Sequence, residues 1–155
     1  MNNKSVNNIS VKDILTFLPH RFPFLLIDRI IKFKKEKFLH AIKNVSFNEQ
    51  CFQGHFPNKP IFPGVLILES MIQATGILYF KSLTKLSPKE HYYVAAINSA
   101  KFKYLVQPGD QINIEATLIK KRKKILKFKV ISKVKNQIIC EALIICAIKK
   151  EKITN

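Results

Sequence analysis

Between Pro63 and Lys81 lies a run that decides most of what this chain can fold into: Gly-Val-Leu-Ile-Leu-Glu-Ser-Met-Ile-Gln-Ala-Thr-Gly-Ile-Leu-Tyr-Phe, with Glu69 its only charged residue. Proline is favoured at the first helical position, and Gly76 is the only interior residue that opposes a helix. Wound at 3.6 residues per turn, the run is apolar on every face, the pattern of a helix enclosed on all sides. It approaches the length of a membrane span. Against that reading, a mid-span acid costs roughly 2.5–3.5 kcal/mol on the insertion scale, and the chain has no second such run. The expectation is a helix buried inside a soluble domain, with no membrane insertion.

The remaining sequence supplies the material to bury it. Leu25–Lys34 and Phe38–Val45 read as strands joined by the charged turn 34–37, a hairpin. Four β-like runs follow the helix: Tyr92–Val106, Gln111–Lys120, Ile125–Lys133 and Gln137–Lys149. Ile112, Ile114, Ala116 and Leu118 alternate with polar neighbours, as do Leu126, Phe128 and Val130, so each strand has one buried face. Pro108-Gly109-Asp110, Lys121–Lys124 and Lys135-Asn136-Gln137 supply turns, and such short connections imply antiparallel neighbours. Residues 138–148 are apolar on both faces, which places the last strand centrally. Ahead of the first hairpin, Ser10-x-x-Asp13 signals the start of a short helix over Val11–Leu18, stopped by Pro19 and Pro23. The sum is an α+β domain over 11–150, with six antiparallel strands and one long helix. Residues 1–10 and 151–155 read as tails, and 81–90 as a polar linker.

Charge narrows the function classes less than its size suggests. Lys and Arg number 27 against 10 Asp and Glu, a net charge of +17, yet only Arg21, Arg29 and Arg122 are arginines. A nucleic-acid reader would draw more on arginine's bidentate geometry. Lys, Asn, Ile and Phe all have A/T-rich codons, so codon drift accounts for the excess as well as selected charge does. Cys51, Cys140 and Cys146 form no Cys-x-x-Cys pair and suggest neither a disulfide framework nor a zinc site. Cys51 and His55 are four apart, but no second ligand pair accompanies them. The polar, Asn-rich start carries no apolar secretory segment, and a cytosolic protein is expected.

Two residues stand out chemically. His55 sits between Gly54 and Phe56-Pro57 in the aperiodic loop 48–62, and Glu69 lies on the apolar helix itself. Taken alone, His55 reads first as a satisfied core or surface histidine, and Glu69 equally as half of a lysine salt bridge or a partner of the backbone. Buried acids are nonetheless rare unless paired or functional. Desolvation favours the protonated form of such an acid, which lets it donate a proton. Pro63-Gly64 adds unpaired N–H groups and a positive dipole end at the helix start, with no Gly64 side chain to block a carbonyl. Imidazole base, carboxylic acid and amide donor together suit proton abstraction α to a carbonyl, with loss of a β-hydroxyl as water. Gln73, one turn after Glu69, either orients the carboxyl or is a satisfied core amide.

These residues fall within a wider resemblance. Leu18-Pro19-His20-Arg21-Phe22-Pro23-Phe24-Leu25-Leu26-Ile27-Asp28-Arg29, then Gly54-His55-Phe56-Pro57, then Pro60-Ile61-Phe62-Pro63-Gly64-Val65-Leu66 with Glu69 and Gln73, resemble the (3R)-hydroxyacyl-[acyl-carrier-protein] dehydratases. Lys101-Phe102-Lys103 and Pro108-Gly109-Asp110-Gln111 resemble a later block of that family. The resemblance implies a hotdog fold, an antiparallel sheet wrapped around the long helix. It also implies dimers, commonly grouped as trimers of dimers, with His55 of one subunit facing Glu69 of the other. The implied reaction converts a 3-hydroxyacyl thioester on acyl carrier protein to the trans-2-enoyl product in fatty acid biosynthesis, without metal or redox cofactor. Glu69, rather than Asp, resembles the dehydratase-only branch. Phe56, Gly64, Val65 and Gln73 are the implied substrate-binding positions, and Lys101 and Lys103 the candidates for docking an acidic carrier. Ser70, Ile72, Phe62 and Tyr104-Leu105 depart from the family pattern. The alternatives are a thioesterase on the same fold and a basic nucleic-acid-binding module.

Overall fold

A computed structural model of the chain describes residues 6–83 and 90–150. Most of the 81–90 linker, the 151–155 tail and residues 1–5 lie outside this range. Among the described residues seven strands form one sheet in the order β1-β2-β3-β5-β6-β7-β4, antiparallel at every pairing, curled around the helix α2, Gly64–Ser82. The strands are β1 (Val6–Ile9), β2 (Arg29–Lys34), β3 (Phe38–Asn44), β4 (Glu90–Phe102), β5 (Gln111–Arg122), β6 (Ile125–Val134) and β7 (Gln137–Lys150). This is the expected hotdog arrangement with one more strand than the six expected. The addition comes from residues assigned to the N-terminal tail: Val6–Ile9 pairs with β2, Ile9 opposite Ile30. Its four residues, Val-Asn-Asn-Ile, are too few to show an alternation.

The periodicities are realised as burial. Ile112, Ile114 and Ala116 of β5 and Leu126, Phe128 and Val130 of β6 are sealed against α2, while their alternate neighbours face outward. Met71, Ala74, Ile77 and Leu78 of the helix meet them. Pro63 precedes the helix as its N-cap and Gly64 is the first helical residue, one position later than expected. The shorter helix α1, Val11–Phe17, begins at Ser10, whose N–H and hydroxyl both donate to the Asp13 carboxylate, at 3.3 and 2.9 Å. No helix among the described residues is long and apolar enough to cross a membrane.

Two connections differ from the sequence reading. The hairpins β2–β3, β5–β6 and β6–β7 form as expected, with Glu36, Lys123 and Lys135 at positive φ in their turns. β4 and β5, however, are not neighbours: β5 inserts between β3 and β6, and β4 pairs with β7 at the far edge. Segment 103–110 therefore crosses over the start of α2, where Phe62 N–H donates to Val106 O at 2.7 Å. Gly109, at φ 95°, makes the sharp return and donates to Val45 O at 2.8 Å. β7 is interior, as its two apolar faces suggested, but only one place from the edge.

Candidate active site

The loop that carries His55 is built from an ion pair. Lys43, at the end of β3 and only 5% exposed, donates to Glu49 Oε1 and to Asn44 O, both at 2.7 Å. The same Oε1 accepts the Ser46 N–H at 3.0 Å. A short 3-10 turn, Gln50–Gln53, follows, and His55 N–H returns to Cys51 O at 2.9 Å. His55 Nδ1 lies 2.7 Å from Ile61 O. A carbonyl only accepts, so Nδ1 holds the proton of the neutral ring and Nε2 presents its lone pair. Phe56 stacks on the imidazole at 4.1 Å, across a cis His55–Phe56 peptide. Burial pushes the Cys51 thiol up, with Glu49 adding to the shift, so it holds its proton. No group of three or more His, Cys, Asp or Glu among the described residues is arranged to hold a metal ion.

Glu69 is placed differently from either bland reading made of it. Its Oε1 accepts from Gln73 Nε2 at 2.9 Å, and His20 Nε2 lies 3.4 Å from the same oxygen. Among the described residues no lysine pairs with it. Gln73 is 1% exposed and fully engaged: its Oε1 accepts the Leu26 N–H at 2.9 Å and its Nε2 also donates to Phe24 O at 2.7 Å. The carboxyl opens into a cavity of about 600 Å³ between α2, α1 and β4, whose lining includes Phe17, Ile72, Gly76, Phe80 and Tyr92. At its floor Tyr92 O–H donates to Thr75 Oγ1 at 2.8 Å, and burial holds that phenol well above its ordinary range.

The structure thus joins Glu69 with Gln73, and His55 with Phe56, but His55 is not among the residues lining the Glu69 cavity. Gly64 and Val65 open α2, where the first N–H groups have no acceptor within the helix. Val65 is 70% exposed. A Cβ on Gly64 would stand 2.9 Å from Phe102 Cε1, so the Phe102 ring covers this helix start. Strand alternation sends Lys101 and Lys103 to the opposite side from Phe102. Lys101 stands opposite Glu141, and Lys103 Nζ pairs with its carboxylate at 3.0 Å. That lysine holds the Glu141 carboxyl below its usual range.

Sequence reasoning missed two participants. His20 lay inside the signature block, but nothing in its spacing ties it to Glu69, forty-nine residues on. Phe102 was read only as part of a strand and of the Lys101-Phe102-Lys103 block, with no role of its own. Their one available signal was position within blocks already singled out for other residues.

The sequence matches the family described as a FabA-like domain over residues 18–143. It is 58% identical over 145 residues to the 3-hydroxyacyl-[acyl-carrier-protein] dehydratase FabZ of Pectobacterium atrosepticum, covering 94% of this chain and 96% of that protein. The protein of the same name from Escherichia coli O9:H4 is 54% identical over 147 residues, covering 95% and 97%. Among solved structures, the dehydratase heterocomplex ApeI:P from Xenorhabdus doucetiae aligns at TM-score 0.70 and 15% identity, over 91% of this chain and 92% of that one. A hypothetical thioesterase with coenzyme A from Streptococcus pneumoniae aligns at 0.62 and 11% identity, over 92% and 99%. Likeness at these identities speaks to fold alone, and dehydratases and thioesterases share it.

Proposed function

Because the chain belongs to the FabA-like family, among relatives named 3-hydroxyacyl-[acyl-carrier-protein] dehydratases, we propose that it removes water from 3-hydroxyacyl-[acyl-carrier-protein] in fatty acid biosynthesis, as a hydro-lyase. The observation that carries the assignment of roles is the Glu69 carboxyl, held by Gln73 at the wall of an otherwise largely apolar cavity. His55 Nε2 takes the proton α to the thioester carbonyl. The N–H groups at Gly64 and Val65 stabilise the developing oxyanion, aided by the helix dipole. Glu69 protonates the 3-hydroxyl, which leaves as water, and the C2=C3 bond forms. Phe56 flanks the base, and the acyl chain lies along Ile72, Gly76 and Phe80. No metal or redox cofactor takes part in this scheme.

The reaction needs base and acid at one substrate, and within one chain they serve different surroundings. A homodimer meets the requirement, with His55 of one protomer facing Glu69 of its partner. The outer edge of β4 supports this: thirteen residues long, at the end of the sheet, with Tyr93, Val94, Ile97 and Phe102 exposed. Such an edge is suited to cover by a second copy. Three dimers form the complete assembly, and the enzyme works in the cytoplasm. Acyl carrier protein docks by charge, and Lys101 is the stronger candidate because Lys103 is already committed to Glu141.

Hydration of a crotonyl thioester, the reverse reaction, is followed by loss of enoyl absorbance alongside a free-thiol assay. Wild-type protein consumes enoyl thioester without releasing thiol, and His55→Ala and Glu69→Gln are inactive. Thiol release at the same rate instead makes the protein a thioesterase. Mixing the two inactive variants after subunit exchange restores activity only if each site draws on two chains. Charge reversal at Lys101 lowers kcat/KM on carrier-bound substrate; an equal loss on a carrier-free thioester refutes docking there.

A further inference from the structure

Which oxygen of Glu69 carries the transferable proton follows from its neighbours. Leu26 N–H occupies Gln73 Oε1, so the amide is fixed with Nε2 toward Glu69, and that donor reaches Oε1. His20 presents its Nε2 to the same oxygen at 3.4 Å. His20 Nδ1 is buried without a hydrogen-bond partner among the described residues, so a proton on it would be stranded. The neutral ring therefore carries its proton on Nε2, aimed at Glu69. Two donors converge on Oε1, which makes it the acceptor oxygen of the acid and leaves Oε2 to bear the proton.

The chain segment around His20 is anchored as a site of this kind requires. Arg21 Nη1 donates to Leu18 O and His20 O at 2.8 and 2.7 Å, and Nη2 to Leu15 O at 3.3 Å. Arg21 O accepts from the Phe24 and Leu25 N–H groups at 2.8 and 3.0 Å. The His20 ring is stacked with Phe24, centroids 6.4 Å apart. Backbone and ring are thus both fixed, and catalytic contacts that are long in a free enzyme tighten when substrate binds.

We propose that His20 is a positioning residue for the dehydration: with Gln73 it holds Glu69 Oε1 as an acceptor, so that Oε2 delivers the proton to the leaving hydroxyl. This rests on the reading of Glu69 as the acid. As the Oε2–H and C3–O bonds break, the α C–H electron pair becomes the C2=C3 bond and His55 Nε2 binds the α proton. The carboxylate charge then spreads onto Oε1, where both donors meet it, so their contribution grows toward the transition state.

The test compares His20→Phe and His20→Met, which remove the donor by two different shapes, with His20→Gln, which keeps an N–H. In the enoyl-thioester hydration assay, Phe and Met lower kcat by about 10- to 100-fold, the worth of a hydrogen bond to a charged group. KM stays nearly constant, and Gln recovers most of the loss. Unchanged kcat in the Phe and Met variants overturns the proposal. So does a loss in which Gln fares no better than they do, since a purely structural role gives that pattern. Glu69→Gln measured alongside separates the two readings: if it stays active, the acid assignment fails, whereas if it is dead while His20→Phe is intact, only the role of His20 fails.

Discussion

Replacing Gln73 with Met tests how tightly the acid is held. Methionine matches glutamine in length and flexibility but offers neither acceptor nor amide donor. Three contacts disappear: Leu26 N–H at 2.9 Å, Phe24 O at 2.7 Å and Glu69 Oε1 at 2.9 Å. Leu26 is 4% exposed, so its N–H is left buried and unpaired, a cost of about 1–3 kcal/mol. Phe24 is 48% exposed, so water can take over at its carbonyl and that loss is small. The added apolar surface of Met offsets a fraction of the rest. A net destabilisation of about 2 kcal/mol follows, equivalent to roughly 4–8 °C in Tm for a chain of this size. Urea unfolding at fixed protomer concentration measures it, because binding between protomers shifts apparent stability by mass action. Activity falls further than stability, since Glu69 loses its nearer donor even in the folded enzyme. A loss below about 0.5 kcal/mol, within the range of an ordinary surface substitution, would refute the reasoning.

Three other outcomes are expected. Gly64→Ala folds, because the atom its Cβ meets at 2.9 Å belongs to the half-exposed Phe102 ring, which can swing aside; kcat/KM falls, and Phe102→Ala in the same chain recovers part of it. Lys43→Met leaves Glu49 partly buried without its cation, costing about 1–3 kcal/mol and slowing turnover through the loop that bears His55, read by urea unfolding and by kcat. Stability declines as pH rises above about 9, the ordinary thiol value here. Burial holds the Cys140 thiol up at about 11 and raises Cys146 and Tyr92, so the unfolded chain releases these protons first and the native state loses ground through that window. Urea midpoints that stay level between neutral pH and pH 10.5 would contradict this.

The sequence by itself determined the local rules. An all-apolar run with a Pro-Gly start had to be an enclosed helix, and the period-two alternation of β5 and β6 had to put one face inward, because each pattern reflects a repeat of the backbone alone. The oddity of Glu69 was legible for the same reason: an acid on such a helix is costly unless something answers it. What answers it was legible only in part. Gln73, one turn on along the same helix, was within reach by spacing alone, whereas His20 meets Glu69 only because α1 and its Pro-bounded turn fold onto α2, a long-range packing that no spacing encodes. The exchange of β4 to the far edge is of the same kind, since pairing partners are chosen by which faces are already covered. Glu69 was marked by its sequence as a group in need of partners; the tertiary structure decided that one amide and one imidazole would share its Oε1.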